Sequence, residues 1–129
     1  MSTHTIRLAH MKPPMTSNEQ RRAHWADVRG AKRDVERDVF WSVRNAKISV
    51  TPPVEVFVTW YAPDAKVRDS DACAPFLKAA LDALVEAQIG LPGDDHRYVR
   101  RSGSSVVVDR ADPRIELTII ESERPEDVA

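Results

Sequence analysis

Cys73 is the chain's single cysteine, so an intrachain disulfide is excluded, and no Cys/His cluster has the spacing of a zinc site. A reducing compartment is the simpler expectation. Long hydrophobic runs are missing too: none approaches the roughly 20 residues that span a bilayer, and no apolar leader follows Met1. The sequence therefore predicts a soluble, cytoplasmic protein with no membrane partner. Internal repeats and low-complexity tracts are lacking, and with 129 residues, 42% apolar and 30% charged, one core is expected. That domain is expected over residues 1–120, with a polar tail over 121–129.

A marked excess of either charge is also lacking. The net charge of −1 argues against strong nonspecific DNA binding by bulk attraction alone. The distribution is less even. Met1 to Arg68 holds 12 Lys and Arg against 7 Asp and Glu, whereas Asp69 to Ala129 holds 7 against 13. The chain is thus polarised into a basic half and an acidic half, a pattern that suits a protein holding both phosphates and cations but that an acidic tail also produces.

Thr5 to His10 alternates as a half-buried strand does, and Pro13-Pro14 stops it. Thr16-Ser17-Asn18 offers caps for a helix whose pattern continues to about Ala46. Val54, Val56, Val58 and Trp60 alternate with Glu55, Phe57, Thr59 and Tyr61, the clearest strand of the sequence. After a polar loop over Pro63 to Asp71, Pro75 suits the first turn of a second helix, which Leu77, Leu81, Leu84 and Gln88 continue until Gly90 and Pro92. Tyr98–Arg101, Ser105–Val108 and Ile115–Ile120 read as strands, the first two either separate or one bent strand. The order β-α-β-α-β-β predicts an α/β or α+β domain in which two helices cover a mixed sheet.

On a helical projection, Trp25, Val28, Val35, Val39, Val43 and Ala46 fall within a sector of roughly 80°, which predicts a core face for the first helix. Arg22, Arg29, Arg33, Arg37 and Arg44 fall within an adjoining sector of roughly 80°, with Asp27, Asp34 and Asp38 on the far side. Like charges at i,i+4 cost some stability. The stripe is thus either a phosphate-binding surface, for which the forked and permanently charged guanidinium is suited, or a solvated face paired with acids elsewhere. Phe40 and Trp41 suit either a dimer contact or the core.

Arg68-Asp69-Ser70-Asp71 closes the loop after the best strand, and Asp94-Asp95 follows the second helix. Brought together, these carboxylates would bind a hard divalent cation through oxygen and leave water positions open for a phosphate. Taken singly, Asp71 is equally a helix cap and Gly93-Asp94-Asp95 equally a turn. His96, beside the pair, is more often neither ligand nor base.

Arg68-Asp69-Ser70-Asp71, Leu77-Lys78-Ala79-Ala80-Leu81-Asp82-Ala83-Leu84 and Gly93-Asp94-Asp95 with Tyr98-Val99 together resemble the D-x-D-N … K-A-x-x-D-A-L … D-D signature of the RusA family of Holliday junction resolvases. Pro13-Pro14 through Asn18 is similar to that family's N-terminal loop, and Ile115–Ile119 to its closing strand. The resemblance implies a RusA-like fold and a homodimer that binds four-way DNA junctions and, with Mg2+ or Mn2+ as its substitute, nicks two strands of like polarity; no organic cofactor is implied. It implies metal ligation by Asp69, Asp71 and Asp95, with Asp94 as rival to Asp95, and charge stabilisation on phosphate by Lys78. Lys78 otherwise pairs with Asp82 at i,i+4. Lys12, Arg68 and the stripe Arg22, Arg29, Arg33, Arg37 and Arg44 would contact DNA. Two departures stand out: Ala72 replaces the family's asparagine, and a few extra residues around Cys73-Ala74-Pro75 separate Asp71 from Lys78. Loss of that amide permits an alternative, a noncatalytic module that binds branched DNA with the same fold.

Overall fold

The alternating residues of Val54–Ala62 form β2, an interior strand of a four-stranded sheet, in the computed structural model, which describes residues 2–122. The full order is β1 (Thr3–Arg7), α1 (Ser17–Arg22), α2 (Trp25–Asn45), β2, α3 (Ala74–Glu86), β3 (Val99–Val108) and β4 (Arg114–Glu121). Across the sheet the strands run β1-β4-β2-β3. β2 and β3 are parallel, as a strand, crossover helix and strand require, while β4 lies antiparallel to both β1 and β2. The expected mixed sheet and α+β class are thus present, with three helices where two were expected.

The core occupies one face of the sheet. Val56, Val58 and Trp60 of β2 and Ile115, Leu117 and Ile119 of β4 meet Val35, Val39 and Val43 of α2 and Phe76, Ala80 and Leu84 of α3. On the other face Glu55, Phe57, Thr59 and Tyr61 are only half-buried. Cys73 is buried in the core, and burial pushes its thiol pKa up to about 11, so it stays a protonated, inert thiol at neutral pH.

Two expectations are corrected and one open alternative is decided. The first helix is two helices. Thr16 and Glu19 form a capping box that starts α1, and the chain leaves helical geometry at Ala23; His24 then starts α2 by accepting the Ala26 N–H on its ring nitrogen at 3.1 Å. Trp25 is therefore the first residue of a new helix; it keeps the angular position of Val43 but lies at the exposed end of that face. It is 62% exposed, with its ring beside His24. Ala46, the C-cap of α2, is exposed as well. The runs around Gly103 form one continuous strand, because Gly103 sits beside Phe57 in the parallel register and leaves room for its ring. The polar tail begins later than expected, since Glu121 closes β4; residues 123–129 lie outside the described residues.

Gly90 turns the chain after α3. Its φ of +117° is open to glycine, and a side chain there would strike the Val50 carbonyl. The amide of Val50 also donates to Ile89 O at 2.8 Å, which ties this turn to the entry of β2.

Candidate nucleic-acid and metal site

Two distant stretches meet where α1 begins. Asn18 donates from Nδ2 to Asp69 Oδ2 at 2.7 Å, Ser17 Oγ donates to Asp71 Oδ1 at 3.4 Å, and the Ser17 amide donates to the Ala72 carbonyl at 3.2 Å. Pro13-Pro14 ends the run from β1 and the capping box starts α1, so the side chains of Ser17 and Asn18 project from a fixed helical turn. On the opposite side, Ala72 N bonds Asp69 O at 3.0 Å and Ala74 N bonds Asp71 O at 2.9 Å, rolling the acidic segment directly into α3. Asp71 therefore does not cap α3 with its side chain; the N-cap is Cys73, which has no side-chain cap bond, and the Asp71 carboxylate faces Ser17.

Arg68 organises the approach to this turn. Its guanidinium donates to the carbonyls of Asp64 and Lys66, both at 3.0 Å, pairs with Asp64 Oδ1 at 2.8 Å and lies 4.7 Å from the Trp60 ring centre. Its donors are thus engaged within its own loop.

The chain beyond Gly90 runs back along α3, and Asp94 reaches Lys78. The ammonium lies 3.4 Å from Asp94 Oδ2 and 3.6 Å from Asp82 Oδ1, and the attraction of Asp82 and then Asp94 raises its pKa. Lys78 is thus a cation at neutral pH between two carboxylates. Lys32 of α2 also reaches Asp82, at 3.4 Å. Asp95 pairs with a different cation: Arg97 grips it with Nε to Oδ1 at 2.9 Å and Nη2 to Oδ2 at 3.0 Å. That side-chain pairing, helped by the Arg97 amide, holds the Asp95 pKa at about 2. His96 is exposed.

Ser17 and Lys78 both border a cleft of ≈ 460 Å³ between the start of α1, α2 and the first turns of α3. Asp69 and Asp71 offer hard carboxylate oxygens on an exposed turn, the donor type that a magnesium ion takes. Asp94 and Asp95 each lie against a cation of the protein instead, and among the described residues no three His, Cys, Asp or Glu side chains are grouped to hold a metal ion. In this arrangement the residues fit a metal through the first carboxylate pair only.

Arg22, Arg29, Arg33, Arg37 and Arg44 are all exposed, as is Lys12. The stripe is interrupted after Arg22, the last residue of α1, and Arg44 bends to donate to the Ala87 carbonyl at 3.3 Å. Asp38, placed among the solvated acids by its sequence position, is instead inside. Its side chain is 4% exposed and accepts from the amides of Ala9 and His10, from His10 Nδ1 and from Ser42 Oγ. Nothing in the local sequence marks this clasp, because its partners lie 28 and 29 residues before Asp38. Ser17 and Arg97 were likewise without a signal at the level of residue type and spacing.

No family model matches this chain, and no curated protein matches it.

Proposed function

We propose that the chain is a magnesium-dependent endonuclease of branched DNA with a RusA-like fold, resolving four-way junctions by paired symmetric nicks. The observation that carries this reading is the 2.7 Å bond from Asn18 to Asp69, which joins the two stretches that resemble the RusA family across 51 residues. Asn18 thereby supplies an amide beside the first carboxylate in a chain that lacks an asparagine at Ala72. Oriented ligand carboxylates of this kind hold metals more tightly.

Asp69 and Asp71 would hold the magnesium ion; Asp95 or its neighbour Asp94, the third carboxylate that the resemblance implies, would join them only on release from Arg97 or Lys78. A bound magnesium ion supplies an activated water and neutralises charge developing on the phosphate. Lys78 stands as the cation for the scissile phosphate, kept protonated by Asp82 and Asp94. Lys12 and the exposed arginines of α1 and α2 would bind the phosphates of the junction arms. In a two-fold homodimer, two such sites would match a substrate that is itself nearly two-fold symmetric.

A second reading, a module that binds branched DNA without cutting, is favoured by one feature, the two-pronged grip of Arg97 on Asp95. A labelled synthetic four-way junction and a linear duplex, each with Mg2+ or EDTA, separate the two. The nuclease predicts paired nicks only in junction with Mg2+; tight junction binding with no cutting in Mg2+ or Mn2+ would establish the noncatalytic module.

A further inference from the structure

Trp25, Arg29, Arg33, Arg37 and Trp41 recur at intervals of four along α2, each step rising about 6 Å and turning about 40°, so the ridge they form winds about 160° around the helix and leaves the two indoles on nearly opposite sides. The indoles at its two ends are 62% and 55% exposed. The Arg29 guanidinium lies 4.6 Å from the Trp25 ring centre. Among the described residues, neither Arg33 nor Arg37 is in an ion pair, although Asp34 and Glu36 share the helix. Like charges at this spacing repel.

The ridge opens at Trp41 onto a hollow of ≈ 300 Å³ bordered by Arg33, Arg37, Phe40, Glu36 and Glu86. That is roughly twice the ~150 Å³ that admits a benzene ring. Its wall is aromatic, with Phe40 and Trp41 packed edge to face at 5.2 Å. Two guanidinium groups stand at its mouth, and two carboxylates are placed to accept hydrogen bonds.

We propose that the Trp41 end of this ridge binds unpaired nucleotides of single-stranded DNA, one base stacking on Trp41 in the hollow with the neighbouring phosphates on Arg33 and Arg37. Stacking on an indole requires a free base face, which a duplex interior does not offer. Glu36 and Glu86, which border the hollow, are acceptors for the exocyclic amino group of a base that enters it. This inference rests on the reading of the chain as a DNA-binding protein and adds the unpaired strand beside the branch as what α2 recognises.

The test titrates the full-length protein, in EDTA to prevent cutting, with a short oligodeoxycytidine, a blunt duplex and a four-way junction, following anisotropy and tryptophan emission. The oligomer should quench the emission. Trp41→Ala should weaken oligomer binding about 5- to 100-fold, with duplex affinity unchanged, and Trp41→Phe should restore most of the loss. Both indoles are exposed, so the melting temperatures of these variants should match that of the natural protein. Unchanged oligomer affinity in Trp41→Ala would overturn the proposal. So would sedimentation in which that substitution turns a two-copy assembly into single chains without altering oligomer affinity, which would assign the face to a second copy. Oligomer binding as expected without junction cutting in Mg2+ would sink the nuclease and leave the ridge standing; cutting without oligomer binding would do the reverse.

Discussion

Replacing Asp38 by alanine removes the clasp that fastens the end of the β1 segment to α2. The carboxylate accepts from Ala9 N and His10 N, both at 2.9 Å, from His10 Nδ1 at 2.6 Å and from Ser42 Oγ at 3.1 Å. A bond to a charged acceptor contributes about 1.5–3 kcal/mol, but the four share one carboxylate and the exposed Ala9 amide can turn to water, so their sum overstates the loss. The expected cost is about 3 kcal/mol, near the lower end for breaking a buried charged pair, and it should lower the melting temperature by about 10 °C. The assay is thermal and urea unfolding of both proteins at neutral and acid pH. Burial alone would raise the Asp38 pKa, but the bonds from Ala9, His10 and Ser42 together bring it below its ordinary 3.8. A carboxyl with a depressed folded pKa gives its full stability above the unfolded value and loses it as pH falls through the folded one. The gap between natural protein and Asp38→Ala should therefore be constant above about pH 5 and should narrow below the ordinary 3.8. A difference under about 0.5 kcal/mol at neutral pH would mean that the clasp does not hold the fold, since that is the size of a change at an ordinary surface position.

Other consequences are as specific. Leu84→Ala, at a position with no exposure in the middle of the core, should cost about 2–5 kcal/mol in urea unfolding, with an unchanged m-value. In Arg97→Ala the Asp95 carboxyl should titrate above the value of about 2 that it has in the natural protein, read by NMR of the side-chain carbonyl carbon. Asn18→Ala should slow junction cutting about 10- to 100-fold while leaving junction affinity and melting temperature in place. For Arg33→Gln with Arg37→Gln, the slope of log affinity against log salt for the junction should fall by about 2.

The sheet was legible where one rule acted alone. β2 alternates cleanly because one of its faces packs on helices and the other is half-open, and Val35, Val39 and Val43 fall on one helical face because that face meets the sheet. The break after Arg22 was hidden because histidine rarely caps a helix, and the ring nitrogen that makes His24 serve does so only in that geometry. Whether the runs on either side of Gly103 were one strand or two stayed open because glycine usually interrupts strands, yet here its small size makes room for Phe57.

The candidate site divides in the same way. The residue types at Asp69, Asp71, Lys78 and Asp94-Asp95 are visible as a pattern, but which of them meet is decided by turns. Gly90 brings Asp94 to Lys78, whereas local pairing turns Asp95 onto Arg97. The Asn18–Asp69 bond spans 51 residues, and no periodicity could announce it.

The most direct measurement compares the natural protein with Asp71→Asn on one labelled four-way junction, recording binding in EDTA and strand cutting in Mg2+. The account predicts equal junction affinity for both proteins and paired symmetric nicks for the natural one alone. Equal cutting by both would contradict the role given to the Asp69–Asp71 turn, and a junction bound no more tightly than linear duplex would contradict the branched-DNA reading itself.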